Sequence, residues 1–85
     1  MSLVLNVRYF AGLREALGPQ ERLELPEGAT VAAARDALIA RGGRHAEVLA
    51  RGRAVRCALD QVMCAESAPL RDGAELAFFP PVTGG

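Results

Sequence analysis

The chain contains no lysine. All ten basic residues are arginine, and ten acidic residues balance them to a formal charge of zero. That balance gives no broad attraction to nucleic acid or to an anionic membrane, so neither is expected as a partner. Without lysine there is also no Walker-type glycine loop, and no other segment reads as an ATP site. No apolar run approaches the roughly 20 residues needed to cross a bilayer, and no charged-then-apolar leader follows Met1. A cytoplasmic location is the expectation. Cysteine is nearly as scarce. Cys57 and Cys64 match no zinc or redox spacing, and the one histidine, His45, has no second ligand type beside it, so no metal is expected. The two cysteines read as small apolar residues rather than a disulfide, given a reducing compartment. Repeats, linkers and low-complexity stretches are absent.

What is present is one domain's worth of chain: 85 residues, half hydrophobic and about a quarter charged. Leu3, Leu5, Val7 and Tyr9 alternate with Val4, Asn6, Arg8 and Phe10, the period of a strand with one buried face. Ala11 to Leu17 reads as a short helical turn closed by Gly18-Pro19. Glu21 to Leu25 alternates charge and leucine, and the break at Pro26-Glu27-Gly28 predicts a hairpin turn there. Thr30 can cap a helix whose Val31, Ala34 and Leu38 share one face, with Gly42-Gly43 ending it. Arg44 to Arg53 is mixed, with a helical turn around Ala46 to Leu49. Ala54 to Leu59 and Val62 to Ala65 read as strands about an Asp60-Gln61 turn. Asp72-Gly73 leads into a last strand, Ala74 to Phe79. The order ββαβββ predicts an α+β domain, a mixed sheet of about five strands with one main helix over one face. This order resembles the ubiquitin-like β-grasp arrangement, which implies that the first and last strands are parallel neighbours at the sheet centre.

The domain is expected to span residues 1–80, with 81–85 as a flexible tail. Two bare glycines after a last strand bury nothing, yet they form a slim arm able to enter a channel that would reject a side chain. A terminal carboxylate, with a pKa of about 3.3–3.7, is ionised at neutral pH and is a poor electrophile. It needs activation from outside, because this chain has no nucleotide site of its own.

The ending Phe78-Phe79-Pro80-Pro81-Val82-Thr83-Gly84-Gly85 resembles the C-terminal signature of the small, sulfur-carrying subunits of molybdopterin synthase. Tyr9-Phe10-Ala11 with Leu13-Arg14-Glu15, and Pro69-Leu70-Arg71-Asp72-Gly73, extend the resemblance over Val4 to Gly85. Asp60 departs from it, since these proteins commonly carry asparagine at that turn; both residues suit a turn. The resemblance implies that an adenylyltransferase of the ubiquitin-activating type uses ATP to form a glycyl adenylate at Gly85. A sulfur donor enzyme then yields a C-terminal thiocarboxylate (1-thioglycine). Gly84 and Gly85, led by Pro81, Val82 and Thr83, thread into a large subunit and pass sulfur to cyclic pyranopterin monophosphate. It further implies a heterotetramer, no cofactor bound by this chain, and catalytic groups in the partner rather than here. Phe10, Met63 and Phe79 fall at docking positions.

The missing lysines suit a carrier of an acyl donor, which cannot then acylate its own side chains. Sixteen alanines beside ten arginines fit a codon bias equally well. Glu15, Arg14 and Arg71 read as solvated or hairpin-bracing charges, or else as rim contacts to a partner; Arg51 and Arg53 receive no role. A β-grasp sulfur carrier for thiamine, cysteine or tRNA thiolation is an alternative, as is a ubiquitin-like protein modifier or binding module. The paired phenylalanines and prolines before the tail argue against the thiamine type and have no obvious use in a plain modifier.

Overall fold

The alternation of Leu3, Leu5, Val7 and Tyr9 becomes strand β1 (Ser2–Tyr9), with all four side chains buried and the intervening ones half-exposed. The structure, a computed structural model, describes residues 1–81. After β1 come helix α1 (Ala11–Leu17), strand β2 (Gln20–Pro26), helices α2 (Val31–Ile39) and α3 (Gly43–Leu49), and strands β3 (Arg56–Leu59), β4 (Val62–Cys64) and β5 (Glu75–Phe79). The five strands form one sheet in the order β2-β1-β5-β3-β4. Only the central β1–β5 pair is parallel, with Val7 beside Leu76 and Tyr9 beside Phe78. This is the mixed β-grasp sheet that the sequence pattern predicts.

One face of the sheet carries the core. Leu5, Val7, Tyr9, Leu76 and Phe78 are sealed beneath Val31, Ala34 and Leu38 of α2 and Leu49 of α3. The Tyr9 and Phe78 rings stack with centroids 6.5 Å apart, which ties the two central strands on their covered side. The Thr30 hydroxyl accepts the Ala33 amide at 3.3 Å, starting α2 where expected.

Three local expectations are corrected. β1 and β2 do pair antiparallel, but α1 joins them, and the Pro26-Glu27-Gly28 break leads into α2 instead. A break after β2 can only lead onward, because the β1–β2 connection has already been made. Helix α2 ends at Ile39, before the glycines. Gly42, at φ 75°, caps a third helix that a residue with Cβ would start only under strain. The Arg44–Arg53 stretch therefore begins as helix, and β3 starts at Arg56 rather than Ala54. Charged and small residues around His45 hide that helix, since only Leu49 in it is fully buried. Among the described residues no helix is long and apolar enough to cross a membrane.

Candidate docking groove

Among the described residues no helix lies over the opposite face of the sheet. Strand register puts Arg8 of β1 beside Ala77 of β5, then Ala58 of β3, then Met63 of β4 in one row across it. Phe10 and Phe79 stand at the end where β1 and β5 finish. The two alanines are almost buried, at 7% exposure each, because the longer side chains around them rise above the sheet. The result is a groove of about 750 Å³ with an alanine floor, walled by Phe10, Met63 and Phe79, with Pro80 and Pro81 at its mouth.

Each wall is held by a local device. Phe10 donates its amide to the Phe78 carbonyl at 3.2 Å, and Ala11 then turns sharply at φ 53°, so α1 leaves the sheet without covering the Phe10 ring. Met63 sits on the edge strand beyond a two-residue turn, with Asp60 and Gln61 both at positive φ (47° and 70°). Asp60 holds that turn against β5: its carboxylate accepts the Glu75 amide at 3.0 Å and also pairs with Arg71 at 3.1 Å. Arg71 is thus the hairpin brace expected of it. Pro80 and Pro81 cannot donate to a ladder, so β5 stops beside the groove and the chain leaves from its rim.

Of the residues expected to act, Phe10 (40% exposed), Met63 (55%) and the half-buried Phe79 share this one groove with Pro81. Val82, Thr83, Gly84 and Gly85 lie outside the described residues. The groove contains no nucleophile–base arrangement among the described residues. Among the described residues no cluster of histidine, cysteine or carboxylate is placed to hold a metal. What it offers is burial of apolar surface from another molecule.

The covered side holds polar features that pattern reading passed over. Arg35 is 3% exposed, and its guanidinium donates to the carbonyls of Leu49 (2.8 Å), Ala50 (2.7 Å) and Arg53 (3.1 Å) and to Glu66 (2.8 Å). The signal was available, since position 35 lies between Ala34 and Leu38 on the inward stripe of α2. Arg51, given no role, pairs with Asp36 at 2.8 Å and with Glu66. Glu21 receives the Tyr9 hydroxyl at 2.6 Å, His45 Nε2 at 2.7 Å and Arg41. Burial, reinforced by Glu21, pushes the Tyr9 hydroxyl well above its ordinary value. Burial also pushes the Cys57 thiol up to about 12, with neighbouring Cys64 adding to it. These thiols are free, with Cys57 buried and Cys64 half-buried.

The sequence model of the ThiS family matches residues 7–85. The chain belongs to the ThiS family. Among curated proteins, this ThiS-family chain is 38% identical over 82 residues to the molybdopterin synthase sulfur carrier subunit of Escherichia coli, covering 96% of this chain and 100% of that one. The Haemophilus influenzae protein of the same name is 37% identical with the same coverage. Among solved structures, Haloferax volcanii small archaeal modifier protein 1 superposes with a TM-score of 0.77 at 27% identity, covering 94% of this chain and 99% of that one. The ubiquitin-like β-grasp assignment of this ThiS-family chain follows from such neighbours, which include the Caldiarchaeum subterraneum ubiquitin at a TM-score of 0.66.

Proposed function

We propose that this chain is the sulfur-carrier subunit of a molybdopterin synthase. The observation that carries the reading is 37–38% identity, over nearly the whole chain, to carriers of that name, in a chain whose last strand ends at the rim of an open apolar groove. In this reading the Gly85 carboxylate attacks the α-phosphorus of ATP on a partner of the ubiquitin-activating type, and pyrophosphate leaves. A sulfur nucleophile delivered by a donor enzyme displaces AMP and leaves a thiocarboxylate. The groove then docks a large subunit through Phe10, Met63 and Phe79, while Pro81 to Gly85 thread into its site. There sulfur passes to cyclic pyranopterin monophosphate. A dithiolene needs two sulfurs, so two thiocarboxylates are spent per product, water releasing each carrier with its Gly85 carboxylate restored. Two carriers on a dimer of large subunits is the matching assembly. The carrier itself supplies sulfur and aim; proton transfers fall to the partner.

The test is direct. Thiocarboxylated protein, heavier by the difference between a sulfur and an oxygen atom, is mixed with the candidate large subunit and the cyclic pterin. Dithiolene product is expected, and deletion of Gly85 abolishes both the mass change and the product. Sulfur appearing instead in cysteine or thiamine precursors overturns the pathway but keeps carrier chemistry. The likeness to an archaeal modifier protein favours a second reading, attachment of Gly85 to protein lysines. Isopeptide-linked adducts in place of dithiolene would select it.

A further inference from the structure

We propose that Arg8 is a specificity residue of the docking groove, and that the partner covering this face brings an acidic side chain to its guanidinium. This rests on the docking role just proposed for the groove.

Arg8 is a charge placed among apolar walls. It sits in the same cross-sheet row as Ala77, Ala58 and Met63, and its guanidinium carbon lies 5.6 Å from the centre of the Phe10 ring. That cation–π contact keeps the charged group beside one wall of the groove. Its only ion-pair partner among the described residues is Glu75, with 3.7 Å between Nη1 and Oε1. That is close enough for Coulomb attraction but too long for a hydrogen bond. Arg8 Nε is shut off from solvent and is the one buried side-chain nitrogen or oxygen among the described residues with no partner. The side chain as a whole is 41% exposed, so with Nε buried its outer end faces solvent.

This state is tolerable only while the face is open. A partner closing over Phe10, Met63 and Phe79 strips the water from the Nη groups of Arg8, while Nε already has no acceptor. Covering a charge without hydrogen-bond acceptors is severely unfavourable. Glu75 cannot relieve it at its present distance. A carboxylate from the partner can, because it matches the guanidinium edge with two parallel bonds. The local charge agrees. Register places Arg56 on this face opposite Phe79, so the central strands present two arginines against the single carboxylate of Glu75. In a chain of zero net charge, this face has a positive excess that favours an acidic partner surface. A partner that is apolar throughout is selected against, which makes Arg8 a filter as well as an anchor.

The experiment measures the dissociation constant of the purified candidate large subunit for the intact chain and for Arg8→Met, Phe79→Ala and Arg8→Glu, with folding of each variant checked by its melting curve. Arg8→Met is expected to weaken binding about 30-fold or more, the loss associated with removing one member of a desolvated ion pair. Arg8→Glu should bind more weakly still and be rescued when one acidic residue of the large subunit's facing surface is changed to lysine. Loss on Phe79→Ala together with unchanged or tighter binding of Arg8→Met overturns the Arg8 assignment while leaving the docking role intact. Absence of rescue by every such lysine change also overturns it. Unchanged binding of Phe79→Ala overturns the docking role itself.

Discussion

Arg35 is the one charged residue among the described ones that is fully buried. Its guanidinium gathers the carbonyls of Leu49, Ala50 and Arg53, so the chain leaving α3 is pinned to α2 by one side chain. Glu66 closes the ring from the far side and is itself held by Arg51. Arg35→Met keeps the apolar stem but leaves three carbonyls without their donor and Glu66 with Arg51 as its remaining cation. The expected cost is about 3–5 kcal/mol, seen as a lower midpoint in denaturant unfolding. Arg35→Lys should recover little of it, because an ammonium cannot span four acceptors with the geometry of a planar fork. The inward position of residue 35 was legible from the spacing of Val31, Ala34 and Leu38. Its partners were not, because the chain from Leu49 to Arg53 has no periodicity of its own.

Among the elements, the β3–β4 hairpin shows how turn chemistry and function meet. Asp60 and Gln61 both adopt left-handed backbone, the arrangement that two-residue hairpins require, although neither is glycine. Asp60 is compensated by its bonds to Glu75 and Arg71. Gln61 makes no such bond among the described residues. Gln61→Gly is therefore expected to stabilise the domain by about 1 kcal/mol, the left-handed penalty relieved less the added chain entropy, read as a raised melting temperature. The hairpin itself was readable from Asp60-Gln61 between two apolar runs. The β1–β2 connection was misread because Pro26-Glu27-Gly28 looks like a hairpin turn, while α1 holds a single fully buried residue, Leu13, and gave only the reading of a short helical turn.

For the whole molecule, two carboxylates tie the helices to the sheet and to each other. Burial opposes ionisation of Glu21, but hydrogen bonds from Tyr9, His45 and Arg41 outweigh it and hold its pKa below the ordinary 4.5. Glu66 is lowered in the same way, its bonds from Arg51 and Arg35 overcoming burial. A carboxylate whose pKa is lower in the folded chain binds fewer protons there than in the unfolded chain. Its contribution to stability is therefore complete above about pH 4.5 and is lost as pH falls through the lowered folded values. Thermal unfolding followed from neutral to acid pH should show a falling melting temperature in that range, and a shallower fall in Glu21→Gln combined with Glu66→Gln. The same decline in that double variant would place the acid-sensitive groups elsewhere.

The sequence by itself determined the sheet and its sidedness. Period-two alternation in β1 and β5 left Leu5, Val7, Leu76 and Phe78 no stable place but the core, and put Arg8, Phe10 and Phe79 on the other face. It also contained the eight-residue ending on which the proposed sulfur chemistry rests. Tertiary structure decided how that open face is used. Phe10 just beyond β1, Met63 on β4 and Phe79 on β5 are far apart in sequence, and only the order β1-β5-β3-β4 sets them around one alanine floor. Nor could alternation reveal that Arg8 stands there with a buried, unpaired nitrogen, since it assigns a residue to a face but not its neighbours. Burial follows from local period, whereas a binding groove follows from which strands become neighbours, and that depends on contacts between distant parts of the chain.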